Sequence, residues 1–98
     1  MSAPLFPLGT VIVTSGVLAL TTDAQRLACL RRHVTGDFGT VDGEQEELNR
    51  YSVESGHSVL SAYPIDPANP CDSIGANAFW ILTRGDRHET TLLLPDEH

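Results

Sequence analysis

Two apolar runs of β type, Phe79–Thr83 and Thr90–Leu94, stand six residues apart, and five of those six can carry charge: Arg84, Asp86, Arg87, His88 and Glu89. A pattern of this kind has few solutions, the simplest being two antiparallel strands joined by a solvated turn. Pro95 stops the second strand. Ahead of the pair, Ser58–Tyr63 alternates with period two, Val59 and Ser61 on one side and Leu60 and Ala62 on the other, and reads as a third strand. Between them, Pro64 to Asn77 holds three prolines, Cys71 and few apolar side chains. That stretch is a long loop.

The preceding half of the chain reads mainly as helix. Residues 8–14, LGTVIVT, form a short strand by β-branched content. Ser15 is the expected cap of a brief helix through Gly16–Leu20. Thr22-Asp23-Ala24-Gln25 fits a capping box, and Leu27, Leu30 and Val34 follow at helical spacing on one face. Arg31, Arg32 and His33 occupy the last turn, where cations suit the helix dipole, and Gly36 is a natural stop. Asp42-Gly43-Glu44-Gln45 repeats the capping pattern for a second helix to about Ser55, ended by Gly56. Its apolar stripe, Leu48 and Tyr51, is narrow, which places it at the surface.

The resulting fold class is α+β. It comprises an N-terminal short strand and two to three helices packed on a C-terminal three-stranded antiparallel meander. Residues 1–98 have the length of one domain, with 64–77 as its long loop. The 41% apolar content suffices for one modest core. No run approaches the ~20 apolar residues that span a bilayer, and MSAPLFPLG lacks a basic n-region. The expected location is the cytoplasm, with Cys29 and Cys71 as free thiols.

Thirteen acids against six bases leave a net charge of −7, and all six bases are Arg. Such a balance provides no electrostatic footprint for duplex DNA. It suits contact with a basic protein surface. Neither a His pair at i, i+4 nor a C-x-x-C is present, so neither metal nor cofactor is expected. The known nucleophile, phosphate-loop and dinucleotide motifs are missing as well.

Four local signals remain as candidates for function. His33 with Asp37 resembles a base whose tautomer a carboxylate fixes, although a cationic His at a helix end needs no substrate. Asp86, Arg87 and His88 carry groups able to hold a phosphate, or form a merely solvated turn. Thr90 and Thr91 point to opposite faces of a strand, so only one hydroxyl serves a given site. Asn49 is the amide in an otherwise acidic helix.

These signals share an order. Arg32-His33-x-x-Gly36-Asp37-Phe38-Gly39, then Asn49, Leu60-Ser61-x-Tyr63, Phe79–Thr83 with Asp86-Arg87, and Thr90–Pro95 follow one another along the chain. This series resembles a family of small proteins of bacterial plasmids, phages and integrated elements, whose members read RHxxGDWGD, LSxY, WIITEADR and TTILLPxEY. The resemblance spans about residues 8–97 and adds Tyr63 to the candidates. Phe38 stands where the family has Trp, Thr40 where it has Asp, and Arg84-Gly85 where it has Glu-Ala. The last change reverses a charge beside the candidate site. The family implies a mobile-element setting and no particular activity.

The expected function is therefore a non-enzymatic interaction protein of a mobile element. Its partner would be a host or element-encoded protein, and a homo-oligomer is compatible with this. The alternative is a small metal-independent RNase or toxin-like phosphotransfer enzyme, with His33, His88 and Arg87 as base, acid and cation. Convergence of His33, Asp37, Arg87 and Thr90 or Thr91 on one concave pocket is the geometric test between the two.

Overall fold

The caps explain most of the elements in the computed structural model, which describes residues 3–98. After a first strand, β1 (Thr10–Val13), a short helix α1 (Ser15–Leu20) is capped by Thr14, whose hydroxyl accepts from the Val17 N–H. The cap lies one residue ahead of the expected Ser15. Helix α2 (Asp23–Val34) carries the full capping box between Thr22 and Gln25. Helix α3 (Gly43–Ser55) carries half of one. The Asp42 carboxylate accepts from Gln45 N–H, but the Gln45 amide donates to Asn49 instead of returning to the cap. Gly56, at φ 79°, closes α3 in the left-handed conformation that glycine adopts without penalty.

Strands β2 (Val59–Pro64), β3 (Ala78–Thr83) and β4 (Glu89–Leu93) form the expected antiparallel meander. The sheet, however, has four strands in the order β1-β4-β3-β2, with β1 parallel to β4. The N-terminal strand is thus a member of the sheet and not an element packed upon it. Parallel neighbours need a crossover, here three helices and two strands long, so no local signal marks the pairing.

Helix α2 buries Arg26, Cys29, His33 and Val34, whereas Leu27 is 51% exposed. The apolar stripe expected through Leu27 is therefore rotated. Its inner face includes an arginine and a histidine because each finds hydrogen-bond partners. The Arg26 guanidinium donates to the carbonyl and hydroxyl of Thr21 at the end of α1, and pairs with Asp23. On α3 the correction is the same in kind: Leu48 and Tyr51 face solvent while Asn49 and Ser52 are buried.

One core cluster gathers Val17, Cys29, Tyr63, Phe79, Ile81 and Leu92 between α1, α2 and the sheet. A second holds Phe6, Val34, Phe38 and Val59. The long loop is ordered by Asn77. Its side-chain amide donates to the carbonyls of Asp66, Asn69 and Pro70, and its oxygen accepts from Asp66 N–H. Trp80 Nε1 ties the same loop to the sheet through Ser73 O at 2.6 Å.

Candidate functional site

The residues that pattern and resemblance single out fall into three places. At the centre lies a line of polar side chains inside the apolar core. His33, from the last turn of α2, meets Ser61 of β2 through Nδ1 and Thr83 of β3 through Nε2, the latter at 2.9 Å. Thr83 and Thr90 hydroxyls lie 2.8 Å apart across the β3–β4 pair, and Thr90 donates to Leu8 O at 2.7 Å. All four side chains have 0% exposure.

The far end of this line orients the whole of it. A carbonyl only accepts, so the Thr90 proton is committed to Leu8 O. Thr83 must then donate to Thr90, and the Thr83 oxygen accepts from His33 Nε2–H. Burial, with the Arg87 charge as a lesser cause, lowers the His33 pKa from 6.5 to about 3, so the ring is neutral at pH 7. A neutral ring protonated at Nε2 has a bare Nδ1, and Ser61 donates to it. The proton order Ser61, His33, Thr83, Thr90, Leu8 O is thus determined throughout.

A serine hydroxyl donating to an imidazole has the form of a nucleophile and its base. Here the pair is closed off. Phe6 and Phe38 set their rings edge-on against the imidazole, with centroids at 5.2 and 6.4 Å. A groove of about 590 Å³ between α3 and the end of α2 stops at Phe38, which is itself 4% exposed. No substrate atom reaches Ser61 in this arrangement.

The second place is the turn after α2. Asp37 does not meet His33. Its carboxylate takes a two-pronged contact from Arg32, at 2.7 and 3.2 Å, and accepts from Gly39 N–H. That bonding holds the Asp37 carboxyl below the usual carboxylate range. The Tyr63 hydroxyl donates to the Asp37 carbonyl at 2.7 Å, and the Arg32 guanidinium lies 4.8 Å from the Tyr63 ring centre. Burial pushes the Tyr63 phenol well up. Gly39, at φ 73°, runs beside the β2 edge, where an added Cβ would sit 1.9 Å from Ala62 O. Only glycine fits there. Thr40 N–H then donates to Ala62 O while Ala62 N–H donates to Phe38 O.

Asn49 completes the same edge. Its side chain accepts from Leu60 N–H at 3.0 Å and donates to Leu60 O at 2.7 Å, imitating a neighbouring strand. Asn49 and the 38–40 segment thereby satisfy the outer backbone groups of residues 60 and 62.

The third place is the β3–β4 turn. Arg87 adopts φ 61° and donates to the carbonyls of Ser52, His57 and Arg84, capping the end of α3. Its guanidinium also lies 5.1 Å from the Phe6 ring centre. Asp86 is exposed and accepts from His88 N–H, which lowers its pKa. Thr91 lies on the sheet face opposite Thr90.

The structure therefore joins His33 with Thr90, and Asp37 with Tyr63, but separates the two pairs. Asp86, His88 and Thr91 join neither. Ser61, Thr83 and Arg32 are the partners that pattern reading did not select. For Thr83 a signal existed, because it faces Thr90 across the turn and shares its side of the sheet. Among the described residues no group of three or more potential metal ligands gathers. Comparison with family models, curated proteins and solved structures returned no match.

Proposed function

We propose that this chain is a non-enzymatic interaction protein of a mobile element, binding a protein encoded by the host or by the element. The observation that carries this reading is the burial of the reactive groups. The imidazole and three hydroxyls best suited to chemistry are fully bonded to one another and inaccessible. They stabilise the fold and leave recognition to the surface. The mobile-element setting rests on the ordered motifs from Arg32 to Pro95.

The surface has a feature suited to contact. On the outer side of α3, Tyr51 is 61% exposed and stacks on His57, ring centres 5.6 Å apart, beside an exposed Leu48. Exposed aromatic side chains are over-represented where proteins meet. Glu44, Glu47 and Glu54 surround it, so a basic partner surface is the complementary one. The RNase alternative draws no support from the geometry, since His33 is sealed while His88 stands in solvent.

The test compares the tagged chain with its Tyr51→Asp form. Capture of a basic protein by the first and not by the second supports the reading. Capture unaffected by Tyr51→Asp removes the assigned surface. RNA cleavage that His33→Ala abolishes, without loss of fold, overturns the reading altogether.

A further inference from the structure

The two edges of the sheet are treated differently. The β2 edge is closed by Asn49 and by residues 38–40. At the opposite end, β1 terminates the sheet order and, among the described residues, pairs with β4 alone. Thr10 N–H donates to His88 O and Thr14 N–H to Leu92 O, in the register Thr10↔Glu89 through Val13↔Leu92. Alternate residues of a strand bond to opposite sides, so residues 10, 12 and 14 turn their backbone groups to β4. Those of Val11 and Val13 turn outward. Exposed edges are ordinarily blunted by shortness, charge, proline or a bulge. Thr10-Val11-Ile12-Val13 is short but carries no charge, proline or bulge.

Charge indicates what covers it. Every acid and every arginine of the chain lies at or beyond Asp23, so the first 22 residues hold no charged side chain. Within that segment Val11 is 40% exposed, Ile12 41%, Leu18 57% and Leu20 53%. A molecule of net charge −7 repels its own copies over most of its surface. Along this charge-free segment two copies meet with few opposing like charges. Of the acids beside β1, Glu89 lies 3.7 Å from Arg84, whereas Glu97, which accepts from the Thr14 hydroxyl and Leu94 N–H, keeps its charge.

The strand is also complementary to itself. An antiparallel pairing about a two-fold axis at Ile12 sets Val11 against Val13 of the second copy. Those are the residues whose backbone groups point outward, so each pair exchanges two hydrogen bonds. Ile12 then faces Ile12 and Thr10 faces Thr14, an isologous contact of like with like. We propose that β1 pairs in this register with β1 of a second copy, joining two four-stranded sheets into one.

Sedimentation equilibrium of the full chain tests this directly. The expected result is a dimer that tightens as salt screens the like charges. Val11→Pro removes an outward N–H and none of the β1–β4 bonds, so it gives a monomer with an unchanged far-UV spectrum. If the proline disturbs β1, Val11→Lys decides, raising the dissociation constant at least about tenfold. In a Cys71→Ser background, Ile12→Cys gives an intermolecular disulfide, because directly opposed residues at such positions lie about 4.5 Å apart. A wild-type monomer up to about 1 mM, or a dimer indifferent to Val11→Pro and Val11→Lys, overturns the proposal. A monomer whose edge accepts a strand from some other protein overturns it too. None of these results bears on the Tyr51 surface, which lies on α3 and has its own capture test.

Discussion

His33 Nε2 donates across 2.9 Å to the Thr83 hydroxyl, and neither residue touches solvent. Neutral imidazole exists as two tautomers in water, and this bond selects one. Nitrogen-15 NMR is expected to show His33 as a single tautomer protonated at Nε2 and bare at Nδ1. A ring protonated at Nδ1 would contradict the proton order from Ser61 to Leu8.

The same burial makes stability depend on pH. The folded imidazole accepts a proton near pH 3, whereas the unfolded one does so near 6.5. Between those values the unfolded chain binds a proton that the folded chain does not, so stability falls as pH falls. The loss is about 2 kcal/mol at pH 5 and approaches about 5 kcal/mol below pH 3. Urea unfolding at pH 7.5 and pH 5 measures it. The drop persists when His57, His88 and His98, all exposed, are replaced by Ala together.

Thr83→Val preserves shape while removing the central hydroxyl. It strips His33 Nε2–H of its acceptor and Thr90 of a donor, at a cost of about 2–3 kcal/mol. Adding Thr90→Val costs less than that change does alone, because the bond between the two is already gone. A cycle of the four proteins gives a coupling of about 1 kcal/mol. Strict additivity would show that the two hydroxyls are not linked.

Asn49 serves both a donor and an acceptor of the Leu60 backbone. Asn49→Ala exposes neither group to a new partner and destabilises by about 2–4 kcal/mol. Asn49→Asp is worse at pH 7, since a carboxylate meets Leu60 O with no hydrogen to give. Amide exchange at Leu60 accelerates in both variants, which local loss of the β2 edge requires.

Arg87 holds three carbonyls with one guanidinium. Arg87→Ala destabilises by about 1–2 kcal/mol. It also raises the His33 pKa, because the Arg87 charge is the second cause of its depression. The total stability lost between pH 7.5 and pH 3 or below is therefore smaller in Arg87→Ala than in the wild type. The loss at pH 5, set by the unfolded imidazole, is nearly the same.

Local elements were legible where one segment contains its own hydrogen-bond partners. The Thr22–Gln25 box, the Asp42 cap, the Gly56 stop and the strands flanking residues 84–88 all appear at the expected positions within a residue or so. The inner face of α2 was not legible by counting apolar residues, because Arg26 and His33 outrank Leu27 there. A polar group buried with all its bonds made costs little, and which bonds it makes depends on chain far away. The same holds for Asn49, an unremarkable amide in an acidic helix until Leu60 is set beside it.

The sequence by itself determined the class of fold, the succession of helices and strands, and the charge-free stretch before Asp23. Tertiary structure decided that β1 pairs in parallel with β4, that His33 meets Ser61 and Thr83 instead of Asp37, and that one sheet edge is closed and the other open. The division has a physical cause. Caps and turns close over three or four residues and leave a local signature. A contact between residues fifty or eighty apart is selected by the competition of the whole chain for burial and hydrogen-bond partners, and no short stretch records it.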